Sequence, residues 1–209
     1  ALKVSKFISQ FLTVSKLVAG ELFISNQNPW IGEAINLQSL VPIPPDVKVK
    51  TTFTWSLGKG LAPVMGEKIG GYAYLEPGEK MVKLVIKRPD RNVVIEVKAM
   101  VNVLGVKPKI DVAPDNLDVY IGQPIPFKVV NNAPDTGKAF PPKTEIKWDF
   151  GDQKEGANGE KMVRFEKPGP KKATVQISVP GVKMPFETSI EFSVKAVEVI
   201  IDVQKSEPK

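Results

Sequence analysis

The sequence predicts an all-β protein: two tandem β-sandwich domains preceded by a short N-terminal amphipathic arm. Two observations carry that expectation. One ordered set of motifs occurs twice, about ninety residues apart, and from Leu22 onward the apolar residues fall in short runs bounded by Gly and Pro. A chain of 209 residues holds one or two domains by length alone, and the repeat decides for two.

In the first half, Trp30-Ile31-Gly32-Glu33-Ala34-Ile35 leads to Phe53-Thr54-Trp55-Ser56-Leu57-Gly58-Lys59-Gly60, then to Tyr72-Ala73-Tyr74-Leu75-Glu76-Pro77-Gly78. In the second, Tyr120-Ile121-Gly122-Gln123-Pro124-Ile125 leads to Ile146-Lys147-Trp148-Asp149-Phe150-Gly151-Asp152, then to Val163-Arg164-Phe165-Glu166-Lys167-Pro168-Gly169. Trp55 and Trp148 lie 93 positions apart, and the two Pro-Gly pairs lie 91 apart. That is the period of a small domain, not of a solenoid repeat. The expected boundaries are an arm over 1–20, a first domain over 21–104 and a second over 105–209. Units of roughly 90 to 100 residues have the size of an immunoglobulin-like sandwich.

Along the arm, Val4, Phe7, Ile8, Phe11, Leu12 and Val18 recur at three- and four-residue intervals, with Lys and Ser between them and Gly20 where a helix would end. A helix or irregular arm fits that stripe. Short strands over 11–14 and 21–24 fit the β-branched content, and both readings stand. Either way, Phe7, Ile8, Phe11 and Leu12 need a surface to pack on, which makes them the candidate assembly residues.

From Leu22 the reading is all strand. Gly32 and Gly122 suit the turn between the first strands of each sandwich. Proline-rich loops follow at 42–46 and 134–142, where Pro cannot belong to a central strand. The strands carrying Trp55 and Trp148 come next, then strands over 81–86 and 173–179, turns at 88–92 and 180–181, and closing strands over 93–103 and 188–203. The segment 104–109 reads as the linker, too short to let the domains wander far.

Composition removes several functions. Without Cys there are no disulfides, thiolate metal sites or cysteine nucleophile, and without His there is no Ser-His-Asp triad and no imidazole-ligated zinc. Lys+Arg 29 against Asp+Glu 23 gives a net charge of +6. The lysines are spread singly along expected strands, as in Lys83-Leu84-Val85-Ile86-Lys87, where they keep sheet surfaces wet and discourage edge pairing. Nucleic acid is therefore not the expected partner. No apolar stretch is long enough for a membrane span, and the first residues lack the apolar run of a signal peptide.

With Trp148-Asp149-Phe150-Gly151-Asp152, then Phe165-Glu166-Lys167-Pro168-Gly169 and the alternating Ala173-Thr174-Val175-Gln176-Ile177, the second half resembles the polycystic-kidney-disease (PKD) family of immunoglobulin-like domains over about 95 residues. Its logic is physical. Gly151 permits a tight turn, Asp149 and Asp152 can accept backbone N–H bonds there, and Pro168-Gly169 turns the chain into the next strand. The first half looks like a diverged copy, with Ser56, Leu57 and Lys59 in place of the acid, the Phe and the second acid. The resemblance implies extracellular spacers, adhesion modules or virion surface proteins, with motif residues that are structural.

Trp55 and Trp148 are expected in the core, and Trp30, beside a turn, is the candidate contact residue. Asp149, Asp152 and Glu155 lack the ligand density of a calcium loop, and no carboxylate pair stands out for glycoside hydrolysis. The expectation is a protein with no catalytic, metal or cofactor residues. It would be a virion surface or decoration component that self-assembles or binds protein through its arm, or else a secreted or cell-surface adhesion or spacer module with glycan or cell-surface contacts.

Overall fold

The computed structural model describes residues 22–48, 50–88, 93–115, 117–151, 154–156 and 159–197. The arm over 1–20 lies outside them, as do the turn at 89–92, Asp152 and the chain after 197. The chain divides into two compact units, 1–105 and 106–209.

In unit 1 the elements run β1 (Leu22–Ile24), β2 (Ala34–Ser39), α1 (Pro45–Lys48), β3 (Thr52–Ser56), β4 (Val64–Met65), β5 (Lys68–Ala73), β6 (Gly78–Arg88) and β7 (Val93–Val103). They form a three-stranded sheet, β1-β2-β5, and a four-stranded sheet, β4-β3-β6-β7. Alternation places Ile35 and Leu37 of β2, Phe53 and Trp55 of β3, Val82, Leu84 and Ile86 of β6, and Val97, Val101 and Val103 of β7 in one core. Each such side chain contributes about 1.5–3 kcal/mol relative to exposure. The register sets Trp55 opposite Leu84.

Unit 2 repeats the plan with β8 (Pro108–Val112), β9 (Val119–Tyr120), β10 (Pro124–Asn131), β11 (Glu145–Asp149), β12 (Lys154–Gly156), β13 (Glu160–Arg164), β14 (Gly169–Ser178) and β15 (Phe186–Lys195). Its sheets are β13-β10-β8 and β12-β11-β14-β15-β9. The added strand β9 runs parallel to the end of β15, and a parallel bridge between Trp30 and Leu104 takes its place in unit 1.

The repeat extends to individual hydrogen bonds. Gly32 N–H donates to the Tyr74 carbonyl at 2.8 Å, and Gly122 N–H to the Phe165 carbonyl at 2.9 Å. Ile31 N–H donates to Leu104 at 2.9 Å, and Ile121 N–H to Lys195 at 3.0 Å. Glu33 and Gln123 then accept the N–H of Trp30 and Tyr120 through their side chains. Both turns need a left-handed residue, and Gly32 (φ 79) and Gly122 (φ 75) supply it.

The chain enters and leaves unit 1 at opposite ends. Leu22 pairs with Ser39 at the far end of β2. Leu104 is bridged to Trp30 beside Ala34, where β2 begins. A strand of 6 residues separates the two ends, which is about 20 Å.

Three expectations change. The proline-rich loop at 42–46 contains a helical turn, because Pro45 sits at its first position, where no N–H is needed, and Lys48 N–H bonds the Pro44 carbonyl. The connection over 104–109 is shorter than expected, since Leu104 is bridged to Trp30 and Pro108 and Lys109 already belong to β8. The closing strand starts at Phe186, two residues earlier than expected, and runs to Lys195, while the expected strand residues 198–203 lie outside the described residues.

Candidate functional site

The residues singled out by motif fall into two groups. Trp55 and Trp148 are 0% and 3% exposed, so both serve the core. Trp55 donates its indole N–H to the Gly66 carbonyl at 2.7 Å. Trp148 stacks on Phe150, with Phe127 and Phe192 completing an aromatic cluster. Asp149 accepts Gly151 N–H at 2.8 Å, closing the turn at Gly151 (φ 81), and Gly169 takes φ 110 after Pro168. Phe7, Ile8, Phe11, Leu12 and Asp152 lie outside the described residues. Trp30 is half-buried, with its backbone held by Leu104 and Glu33.

One cleft was not foreseen. It opens where β5 ends and β6 begins, has a volume of about 290 Å³, and is walled by Tyr72, Tyr74, Leu61 and Leu75, with Lys59, Lys80, Glu76 and Glu79 among its lining residues. The bulge in β5 positions the tyrosines. Gly70 and Gly71 together face Asn36, with Gly71 at φ 68 and its N–H bonded to the Asn36 side chain, which brings Tyr72 to the side of Ile69; Tyr74, two residues on, shares that side by strand alternation, and the two rings meet edge to face at 4.9 Å. Tyr74 is 3% exposed, and its hydroxyl is buried with no hydrogen-bond partner. Burial, reinforced by the neighbouring Tyr72, pushes its pKa up to about 12.

The second unit provides an internal control. Counting by the same 91-residue offset as the Pro-Gly pairs, Phe165 stands where unit 1 has Tyr74, Glu166 where it has Leu75, and Val163 where it has Tyr72. Phe165 and Val163 are buried, and Glu166 is exposed. The fold therefore needs an aromatic at the Tyr74 position but no hydroxyl, and it tolerates a charge where Leu75 is 66% exposed. The sequence signal for the cleft was this difference between two otherwise parallel copies.

Ion pairs lie elsewhere on the surface. Glu96 lies between Lys83 and Lys98 at 2.7 and 2.8 Å, and their hydrogen bonds hold its carboxyl below the usual range. Met65, Met81 and Met100 stand exposed on the outer face of the four-stranded sheet of unit 1. Among the described residues, no group of three or more acidic side chains is placed to hold a metal ion, and no helix is long and apolar enough to cross a membrane.

No family model matches the chain, and no curated protein matches it. Among solved structures, the three N-terminal domains of the highly immunogenic outer capsid protein (Hoc) of bacteriophage RB49 are similar, with a TM-score of 0.51 and 10% identity over 84% of this chain. The match spans 58% of that chain, less than two thirds of its length. Fibronectin(III)-like modules of Clostridium thermocellum CbhA match at 17% identity over 88% of this chain and 100% of theirs, with a TM-score of 0.33. Murine CEACAM1b matches at 12% identity over 85% and 100%, also with a TM-score of 0.33. At these identities the likeness is one of fold: tandem immunoglobulin-like β-sandwiches.

Proposed function

We propose that the chain is a non-enzymatic structural protein on the surface of a virion or comparable large assembly. Residues 1–20 hold it to its neighbours, and its immunoglobulin-like domains, of the PKD kind, stand away from that anchor. The observation that carries the reading is the polarity of unit 1. The N-terminal segment joins at the Ser39 end of β2, and the chain continues from the Ala34 end, so an anchor and the rest of the protein attach to one sandwich at opposite ends. The turn that Asp149 closes at Gly151, under a Trp148 stacked on Phe150, supports the PKD kind. That the phage neighbour is an outer capsid protein agrees with a virion surface and adds no residue-level support.

A second reading, a secreted or cell-surface adhesion or spacer module, is favoured by the exposed methionines of unit 1. Methionine adapts to varied apolar partners, and here Met65, Met81 and Met100 share a face. Removal of residues 1–19 separates the two. Loss of self-association or of particle binding supports the assembly role. Unchanged binding by a monomer to a protein or glycan supports adhesion and sinks the anchor.

A further inference from the structure

We propose that Met81 and Met100, on the outer face of the four-stranded sheet of unit 1, form an oxidation site at which a hydroperoxide turns an apolar patch polar and leaves the fold intact. The proposal stands apart from the assembly reading, because neither residue belongs to the N-terminal segment or to the core.

The placement of sulfur is the first observation. The chain has five methionines and no cysteine. Met65, Met81, Met100, Met162 and Met184 are all exposed, and the cores of both units are built from Trp, Phe, Leu, Ile and Val. Oxidation of a thioether disrupts a core when the methionine is buried in one, and here it meets the surface instead.

Met81 and Met100 differ from the other three in facing each other, across β6 and β7. Side chains so placed have Cβ atoms about 4.5–5.5 Å apart and form one patch. The 91-residue offset of the Pro-Gly pairs puts Lys172 and Glu191 in their places in unit 2, where these two also face each other and their charged ends lie 3.9 Å apart. One position of the sheet thus carries an apolar pair in unit 1 and an ion pair in unit 2. The fold accepts polar groups there, so a change from thioether to sulfoxide alters the surface and not the packing.

The step balances with hydrogen peroxide as the sole co-reactant. A sulfur lone pair attacks one peroxide oxygen, and the S–O bond forms as the O–O bond breaks. The departing hydroxide takes the proton left on the transferred oxygen and leaves as water. Sulfur loses two electrons and the peroxide gains them, and a methionine sulfoxide reductase reverses the change. Met65 shares the face but is held differently. The Thr54 hydroxyl donates to its sulfur at 3.3 Å and occupies a lone pair of the nucleophile, which leaves Met81 and Met100 as the reactive part of the face.

The test uses the full chain, a Met81→Leu/Met100→Leu variant that stays apolar at this site, and a Met81→Gln/Met100→Gln variant that is polar from the start. Each is treated with hydrogen peroxide, digested for mass spectrometry, run on a hydrophobic-interaction column and melted. In the wild type, Met81 and Met100 should each gain one oxygen ahead of Met65, although Met65 is the more exposed. Column retention should fall toward that of the Gln variant, the Leu variant should lose less, and the melting temperature should change little. Met81 and Met100 left unmodified while Met162 and Met184 are oxidised would overturn the proposal, as would a Met65 that reacts before both. So would an oxidised wild type that melts much earlier than the oxidised Leu variant, or that loses no more retention than it does.

Discussion

The rings of Trp148 and Phe150 lie 5.4 Å apart and 7° from parallel, two residues apart on one side of the β11 strand and the turn that follows it. Phe127 meets both, at 6.1 and 5.0 Å, and Phe192 lies 5.7 Å from Phe127. The Trp-Asp-Phe triplet thus does two jobs. Its aromatics fill the core, and Asp149 between them points outward and ties the turn.

Trp148→Ala should therefore cost about 3 to 5 kcal/mol, because the neighbours can close only part of so large a void. Denaturant midpoints measure it. A loss below about 1 kcal/mol would mean that the aromatic cluster does not hold unit 2 together.

Asp149→Ala should cost less, about 1 kcal/mol, the worth of one exposed hydrogen bond. The same measurement applies, and a loss as large as that of Trp148→Ala would contradict the division of labour between the two positions.

Asn131 is fully buried and fully used. Its amide donates to the Ala139 carbonyl at 2.8 Å, and its oxygen accepts the N–H of Lys107 at 2.8 Å and of Ala133 at 3.2 Å. It pins the loop after β10 to the start of unit 2. Asn131→Ala leaves several of these groups without partners and should cost about 2 to 4 kcal/mol. Amide exchange at Lys107 and Ala133 should quicken, and unchanged exchange would refute the role.

Tyr74 makes stability depend on alkaline pH. Its folded pKa of about 12 lies above the usual 10, so the folded state keeps a proton that the unfolded state releases. The contribution is intact below pH 10 and is lost as the pH rises toward 12. Urea midpoints of the wild type should fall over that window relative to those of Tyr74→Phe. Parallel curves for the two proteins would show that the hydroxyl is not buried.

Much of the fold was legible because its signals are local and doubled. Trp55 and Trp148, the Pro-Gly pairs and the Gly32 and Gly122 turns recur in one order, and tandem sandwiches account for that order. The helical turn at Pro45 was hidden by its prolines, which read as loop until the first-turn position is known. Pro108 and Lys109 looked like linker, since Pro suits the first residue of a strand as well as a connection. The cleft escaped because Tyr72 and Tyr74 fit a strand pattern and Leu75 looked like one more apolar residue. Strand alternation puts the two tyrosines on one side, and the bulge at Gly70 and Gly71, which depends on pairing with β2, puts them on the same side as Ile69.

The most direct test of the assembly role is light scattering on the full chain beside a chain beginning at Gly20, at matched concentration and two ionic strengths. The account predicts an oligomer for the full chain, a monomer for the shortened one and little change with salt, since apolar side chains carry the contact. Two identical monomers would contradict it, and would leave adhesion as the function of the sandwiches.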